Sequence, residues 1–186
     1  MTQPEASRSG LLAVQRHRAW IGMGGNLGDV RAHLQSALAG LNVLPGTNVQ
    51  AVSSVYRTTP VDAGGPDYLN AVALVQSALG PVELLHALQK LEIDHDRARS
   101  YQNAPRTLDL DLLWYGDARR QSEHLTLPHP RMMQRAFVLT PLTEVLSALP
   151  ADADAALQAA MPNATARLAL EKTQGIEKLG PVDALG

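Results

Sequence analysis

The run APRTLDLDLL, near the middle of the chain, constrains fold and chemistry more than any other part of the sequence. From Leu108 onward, apolar and acidic residues alternate, and successive side chains of a β-strand point to opposite faces. The leucines are therefore expected to cover a core, while Asp109 and Asp111 lie side by side on the other face. Two positions along a strand span roughly 6.6 Å, so these carboxylates could share a divalent cation or hold a pair of cations.

Two interpretations of this strand remain open from the alternation alone. Neighbouring like charges are unfavourable unless a cation compensates them, which favours a metal site. An amphipathic edge strand with a solvated acidic face fits the pattern equally well. Arg106 stands at the strand entrance, where its guanidinium could meet a phosphate.

The amino-acid composition of the chain limits the kinds of function that it can have. The chain has 186 residues, of which 45% are hydrophobic, which is enough for one sizeable core. It contains no cysteine, so any metal must take oxygen or imidazole ligands. A net charge of −2 argues against a nucleic-acid partner. No stretch is long enough to span a membrane or to serve as a signal segment, so a cytoplasmic protein is expected.

The order of predicted elements is β-α-β-β-α-β, which is typical of an α+β, ferredoxin-like sheet with helices packed on one face. Further short helices and an edge strand in QGIEKL are expected as added C-terminal elements. We predict a flexible N-terminal tail over 1–18, one domain over 19–150 and a C-terminal extension over 151–186. No surface stripe of apolar residues is left over, so a monomer is expected.

Several segments could bind a ligand, and each also has a structural interpretation. GMGGNLGD at 22–29 could line a phosphate site, or its glycines could ease a tight turn. Alternation places Tyr68 and Asn70 on one strand face, which suits a flat heterocycle but also an ordinary strand end. Gln89 and Glu92 share a helix face before a basic loop. His129, flanked by prolines, has no zinc-ligand spacing around it.

These segments together resemble the 6-hydroxymethyl-7,8-dihydropterin pyrophosphokinase family. The similarity comprises GGN, YRTTP followed by PDYLN, LQKLE followed by RAR, PRTLDLDLL, and LPHPRMMQRAF, in the family's order over about residues 19–150. It implies transfer of pyrophosphate from ATP to the 6-hydroxymethyl group of the pterin, with release of AMP, in folate biosynthesis. One departure is that Gln102-Asn103-Ala104 stands where some members have Arg-Trp-Gly.

The resemblance also implies roles for individual residues. Asp109 and Asp111 are expected to bind two Mg²⁺ ions and, with Arg97 and Arg106, to form the catalytic group. The implied ATP-binding residues are Gln89, Glu92, Arg97, Arg99, Arg106, His129 and Arg135. The implied pterin-binding residues are Gly24, Asn26, Thr58, Val61, Tyr68, Asn70 and Phe137.

Two rival functions remain. A palm-type Mg-dependent nucleotidyl transferase or cyclase also places paired carboxylates on such a sheet, but it gives no role to Tyr68, Asn70 and Phe137. An RNA-binding module of the same element order needs aromatic residues on its central strands and a basic face, which this sequence lacks.

Overall fold

The computed structural model describes residues 15–59, 65–95 and 106–183, and these form an α+β fold built around an antiparallel sheet. No helix among these residues has the length and apolar character needed to cross a bilayer. The elements follow in chain order: β1 (His17–Gly25), α1 (Val30–Val43), β2 (Thr47–Val52), β3 (Val55–Thr58), β4 (Tyr68–Ser77), α2 (Pro81–Asp94), β5 (Asp109–Tyr115), β6 (Arg120–Gln121), β7 (Thr126–Leu127), a 3-10 turn (Met132–Gln134), α3 (Ala136–Ser147), α4 (Ala155–Ala160), α5 (Ala164–Gln174) and β8 (Ile176–Gly180).

The main sheet has the strand order β5-β1-β4-β3-β8, and β2 also pairs with β4. All its pairings are antiparallel. The β-branched residues within 49–56 predict one strand, whereas the structure has two, β2 and β3, separated at Ser53 and Ser54. The break is stabilised locally, because the N–H of Val72 donates to Ser53 Oγ at 3.0 Å and the same hydroxyl donates to the carbonyl of Ser54 at 2.7 Å.

Helices α1 and α2 cover one face of the sheet, as the sequence predicted. Helix α1 begins after Asp29, whose side chain accepts a hydrogen bond from the N–H of Ala32 at 3.0 Å and caps the helix. Pro81 occupies the first position of α2. Buried residues of both helices, among them Leu34 and Leu88, pack with inward residues of β1, β4 and β5.

The opposite face of the sheet is covered by α3, so the prediction of helices on one face applies to α1 and α2 alone. Helix α3 is the most apolar helix of the chain and buries Leu142 and Val145 against Trp20 and Leu74. This second core explains why the sheet is apolar on both faces over part of its length. We call the two sides the α1/α2 face and the α3 face.

The ends of the chain differ from the predicted boundaries. Strand β1 begins at His17, so 17 and 18 belong to the sheet rather than to a tail. The predicted edge strand in QGIEKL is confirmed as β8, which pairs with β3. Arg31 of α1 donates to the carbonyl of Leu179 at 3.2 Å and to that of Pro181 at 2.5 Å. The C-terminal extension is thus joined to both the sheet and α1.

Candidate active site

The two aspartates of β5 lie on the α3 face, as the alternation predicted. Leu110 and Leu112 are buried in the core on the α1/α2 side, whereas Asp109 and Asp111 are partly exposed. Both aspartates line a cavity of about 30 Å³ between the sheet and α3. Its lining residues are Gly22, Met23, Gly24, Asn70, Ala71, Asp109, Asp111, Phe137 and Val138.

The floor of this cavity is formed by glycines of β1. Gly24 is the register partner of Asp109 on one side and of Asn70 on the other, so these three residues form a row across adjacent strands. A Cβ atom at Gly24 would lie 2.8 Å from Asn70 Oδ1, which is too close for any real contact. Gly22 forms the next row with Asp111. The sequence reasoning missed Gly22, although its spacing of two from Gly24 places both on one strand face.

Asn70 is held in a defined orientation at the edge of the cavity. It is 7% exposed, and its Nδ2 donates to Thr58 Oγ1 at 3.0 Å. Thr58, itself buried, is the register partner of Tyr68. Alternation along β4 places Tyr68 and Asn70 on the same face. The predicted contact at Val61 lies outside the described residues.

The amide of Asn26 bonds the backbone at the strand ends around the site instead of facing the cavity. Its Oδ1 accepts from the N–H of Arg106 at 2.8 Å, and its Nδ2 donates to the carbonyl of Pro66 at 3.3 Å. Its own N–H donates to the carbonyl of Arg106 at 2.8 Å. The side chain is 6% exposed. These contacts fix the entrance of β5 relative to β1 and the start of β4.

The start of α3 and the segment before it supply the other wall. Phe137 and Val138 line the cavity, and the Cζ atom of Arg135 lies 5.3 Å from the centroid of the Phe137 ring. His129 is fixed by its N–H, which donates to the carbonyl of Leu113 at 2.9 Å. Its Nδ1 accepts from the N–H of Arg131 at 3.2 Å, which leaves Nε2 as the protonated nitrogen of the neutral ring.

The two aspartates differ in how far nearby cations compensate their negative charges. Arg106 Nη1 lies 2.6 Å from Asp109 Oδ1. Burial and then the charge of Asp109 raise the pKa of Asp111 above its ordinary value, although His129, Arg135 and Arg106 oppose this rise. Burial lowers the pKa of Arg135 in spite of the nearby Asp111. Asp111 is therefore a partly buried carboxylate whose charge the neighbouring cations offset only in part.

The donor set fits Mg²⁺ bound together with a phosphate substrate. Within residues 15–59, 65–95 and 106–183, no cluster of three or more His, Cys, Asp or Glu side chains could enclose a metal by itself. Mg²⁺ typically takes one or two protein carboxylates and completes its octahedron with water and substrate phosphates. Asp109 and Asp111 supply that number of carboxylates beside an open cavity.

The two residues of α2 that are predicted to bind ATP, Gln89 and Glu92, have an environment different from that of the aspartates. Glu92 is 2% exposed, and its Oε1 accepts from the N–H of Leu110 at 2.8 Å. Glu92 therefore lies on the α1/α2 side and fixes the backbone of β5 directly between Asp109 and Asp111, and its predicted contact with ATP stays a prediction. Gln89, one turn earlier, is half-buried. The predicted Arg97 and Arg99 lie outside the described residues.

The comparisons with known proteins all indicate the same family. The family model for 7,8-dihydro-6-hydroxymethylpterin-pyrophosphokinase matches residues 20–147. A 2-amino-4-hydroxy-6-hydroxymethyldihydropteridine pyrophosphokinase from Synechocystis is 44% identical over 70% of this chain and 67% of its own length. The enzyme of the same name from Haemophilus influenzae is 41% identical over 70% of this chain and 82% of its own.

A solved structure shares the fold. The HPPK-DHPS chain of Plasmodium falciparum aligns with a TM-score of 0.55 at 12% identity, over 70% of this chain and 41% of its own length. The present chain thus spans less than half of that longer protein. The family match, the similar relatives and the shared fold lead to one conclusion: the chain belongs to the 7,8-dihydro-6-hydroxymethylpterin-pyrophosphokinase family and is a pyrophosphokinase of folate biosynthesis.

Proposed function

We propose that this chain transfers pyrophosphate within the cavity on the α3 face, with the pterin at Asn70 and the triphosphate of ATP at Asp109 and Asp111. The observation that carries this assignment is the row of Asn70, Gly24 and Asp109 across three adjacent strands. An amide suited to a heterocycle edge and a carboxylate suited to Mg²⁺ stand on either side of a glycine without a side chain. Two substrates can therefore meet above Gly24.

On the nucleotide side, Asp109 and Asp111 bind two Mg²⁺ ions together with the phosphates. Arg106 pairs with Asp109, and the charges of His129, Arg135 and Arg106 all lower the pKa of Asp111. Guanidinium groups are well suited to phosphate oxygens. Arg97, Arg99 and Gln89 complete the proposed ATP-binding group. Glu92 is proposed to contribute indirectly, through the N–H of Leu110.

On the pterin side, Asn70 binds the ring edge and Phe137 packs against one ring face, with Tyr68 proposed on the other. The bond from Asn70 Nδ2 to Thr58 Oγ1 supports this assignment, because it leaves Asn70 Oδ1 directed along the floor near Gly24. Gly24 provides room for the ring, and Asn26 supports the loop ends around it. Val61 is proposed as a further contact.

The reaction requires little covalent chemistry from the protein. The hydroxymethyl oxygen of the pterin attacks the β-phosphorus of ATP, the bond to the α-phosphate oxygen breaks, and AMP leaves. Mg²⁺ held by Asp109 and Asp111 would neutralise charge on the phosphate oxygens. Arg106 pairs with Asp109 in the structure, and we propose that its guanidinium turns to the phosphates when ATP binds. We assign no general base, because transfers of this kind depend mainly on positioning and electrostatic stabilisation.

The test measures pterin binding and nucleotide binding separately. Dihydropterin is titrated calorimetrically in the presence of a non-hydrolysable ATP analogue and Mg²⁺, and the analogue is titrated alone. Asn70→Ala and Phe137→Ala should weaken pterin binding by about tenfold or more, since about 1.4 kcal/mol corresponds to a factor of ten. Their affinity for the analogue should be unchanged. Arg106→Ala should weaken the analogue or turnover instead. Equal weakening of both ligands by Asn70→Ala would contradict this placement.

Three broader expectations belong to the same proposal. The strand order β5-β1-β4 with β2 beside β4, and α1 and α2 on one face, supports the ferredoxin-like description of the central elements. We further propose that the chain acts as a monomer in the cytoplasm and binds no nucleic acid. The net charge of −2 supports the last point.

A further inference from the structure

The C-terminal extension makes an unusual contact with the part of α3 that enters the active site. Gln174, the last residue of α5, donates from Nε2 to the carbonyl of Gln134 at 2.9 Å. Its Oε1 accepts from the N–H of Ala136 at 2.8 Å. The single amide group thus bonds the backbone on both sides of Arg135.

This contact replaces an ordinary helix cap. Arg135 is the N-cap residue of α3, and its side chain makes no capping bond. Ala136 is 1% exposed, so its N–H has little access to water and needs a partner within the protein. Gln174 supplies that partner from a distant part of the chain. The side chain of Arg135 is therefore left available for the active site.

The bond at Gln174 is one of three polar links along α3. Thr140 Oγ1 donates to Glu171 Oε1 at 2.7 Å, and Lys178 Nζ lies 3.2 Å from Glu144 Oε1. The linked residues of α3 recur every fourth position, which places them on one face of the helix. Helix α5 buries none of its own residues, so polar links rather than a hydrophobic core attach it to α3.

We propose that the α5–β8 segment positions the start of α3, with Gln174 as a positioning residue that fixes the backbone of Arg135. The family match ends at residue 147, so this residue lies outside the matched region. Arg135 lies beside the Phe137 ring, and both residues have proposed substrate contacts. The inference rests on the proposed function, since it acts through the assigned role of Arg135. Misplacement of a binding group by about 1 Å can cost up to a hundredfold in rate.

The test compares two glutamines of the same extension. Gln174→Met keeps the length of the side chain and removes both hydrogen bonds. Gln158→Met is the matched control, because Gln158 Nε2 also bonds two backbone carbonyls, those of Ala151 and Ala153, but within the extension itself. Each variant should lower Tm by about 2 to 4 °C or less. Only Gln174→Met should raise the KM for ATP, by about tenfold.

A double-mutant cycle with Arg135→Ala shows whether Gln174 acts through Arg135. Arg135→Ala alone should raise the KM for ATP, and adding Gln174→Met should then change it less than about twofold. An unchanged KM in Gln174→Met, or equal rises in the two glutamine variants, would overturn the positioning role while leaving the proposed function in place. An unchanged KM in Arg135→Ala would overturn the assignment of Arg135 and the positioning role with it. If Gln174→Met does not fold, Gln174→Glu, which keeps the acceptor for Ala136, serves in the same cycle.

Discussion

The same strands carry a hydrophobic core on one face of the sheet and both a core and a cavity on the other. On the α1/α2 face, β1 presents Ile21 and Met23, which are buried under two helices. On the α3 face the same strand presents Trp20, then Gly22 and Gly24. Helix α3 seals the end at Trp20, while the glycine end stays open as the cavity. One continuous face thus carries a core at one end and the candidate active site at the other.

This difference shows how a rigid site is obtained from a sheet. On the α1/α2 face, β1, β4 and β5 bury mainly aliphatic side chains, so this face fixes the backbone of the strands that reach the cavity. The α3 face can then leave out side chains at the glycines and carry polar groups at Asn70 and Asp111. A substitution on the first face should therefore change stability, and one on the second should change function.

The largest effect is expected at the paired carboxylates. Asp109→Asn and Asp111→Asn should each reduce Mg-dependent AMP formation by about a hundredfold or more, because charge contacts to the transition state typically contribute that much. Asp111→Asn should keep or increase thermal stability, since it removes a buried charge next to a like charge. AMP release and thermal unfolding are measured side by side. Retention of more than about a tenth of the turnover would exclude a metal-binding role for that residue.

A smaller effect is expected at the glycine floor. Gly24→Ala places a Cβ atom 2.8 Å from Asn70 Oδ1 and must displace that amide. We expect pterin affinity to fall by about tenfold, as in Asn70→Ala. At Gly22→Ala the nearest atoms are the methyl carbons of Leu113 at 3.4 Å, so a weaker effect is expected. Calorimetric titration of the pterin compares the two, and equal losses would refute the specific clash with Asn70.

A pH-dependent effect is expected where α3 is joined to β3. Glu144 accepts from the Tyr56 hydroxyl at 2.5 Å and from Ser54 Oγ at 2.8 Å. Burial alone would raise the pKa of Glu144, but the hydrogen bonds from Tyr56, Ser54 and Lys178 outweigh it and leave the pKa below its ordinary value of 4.5. A carboxylate with a lowered pKa stabilises the fold above its unfolded-state value, and this contribution is lost as pH falls through the folded-state value.

Glu144→Gln should therefore lower the free energy of unfolding by about 1.5 kcal/mol at neutral pH. The difference from the parent protein should shrink below pH 4.5 and approach zero once the carboxyl is protonated. Urea unfolding at a series of pH values measures both quantities. A difference that stays constant with pH would mean that the charge of Glu144 contributes nothing.

The smallest effect on function is expected from the α1/α2 face. Ile21 is fully buried beside Gly22, but its side chain points away from the cavity. Ile21→Val should cost about 1 kcal/mol of stability, the usual cost of removing one buried methylene group. Both KM values and kcat should match those of the parent protein. A clear loss of activity in a fully folded Ile21→Val sample would contradict the proposal that the α1/α2 face affects stability and the α3 face affects function.

The local features of this protein follow from its amino-acid sequence alone. Alternation from Leu108 to Leu112 separated the core side from the acidic side of β5, since strand geometry depends only on the neighbouring backbone. The helical stripe through Leu34 and Leu41 and the edge strand β8 were predictable for the same local reason. Five of the nine residues that line the cavity, Gly24, Asn70, Asp109, Asp111 and Phe137, lie in the family motifs.

Which of those residues share a surface, and how each is used, depends on how the strands and helices pack together. Register placed Gly24 between Asn70 and Asp109, a relation between three strands that no local pattern contains. Folding turned Glu92 inward to the N–H of Leu110, although its helical spacing also suited a substrate contact. It brought Gln174 to the backbone on both sides of Arg135 across about forty residues of chain. Such contacts depend on how separate elements pack, because in each of these three cases the partners lie far apart along the chain.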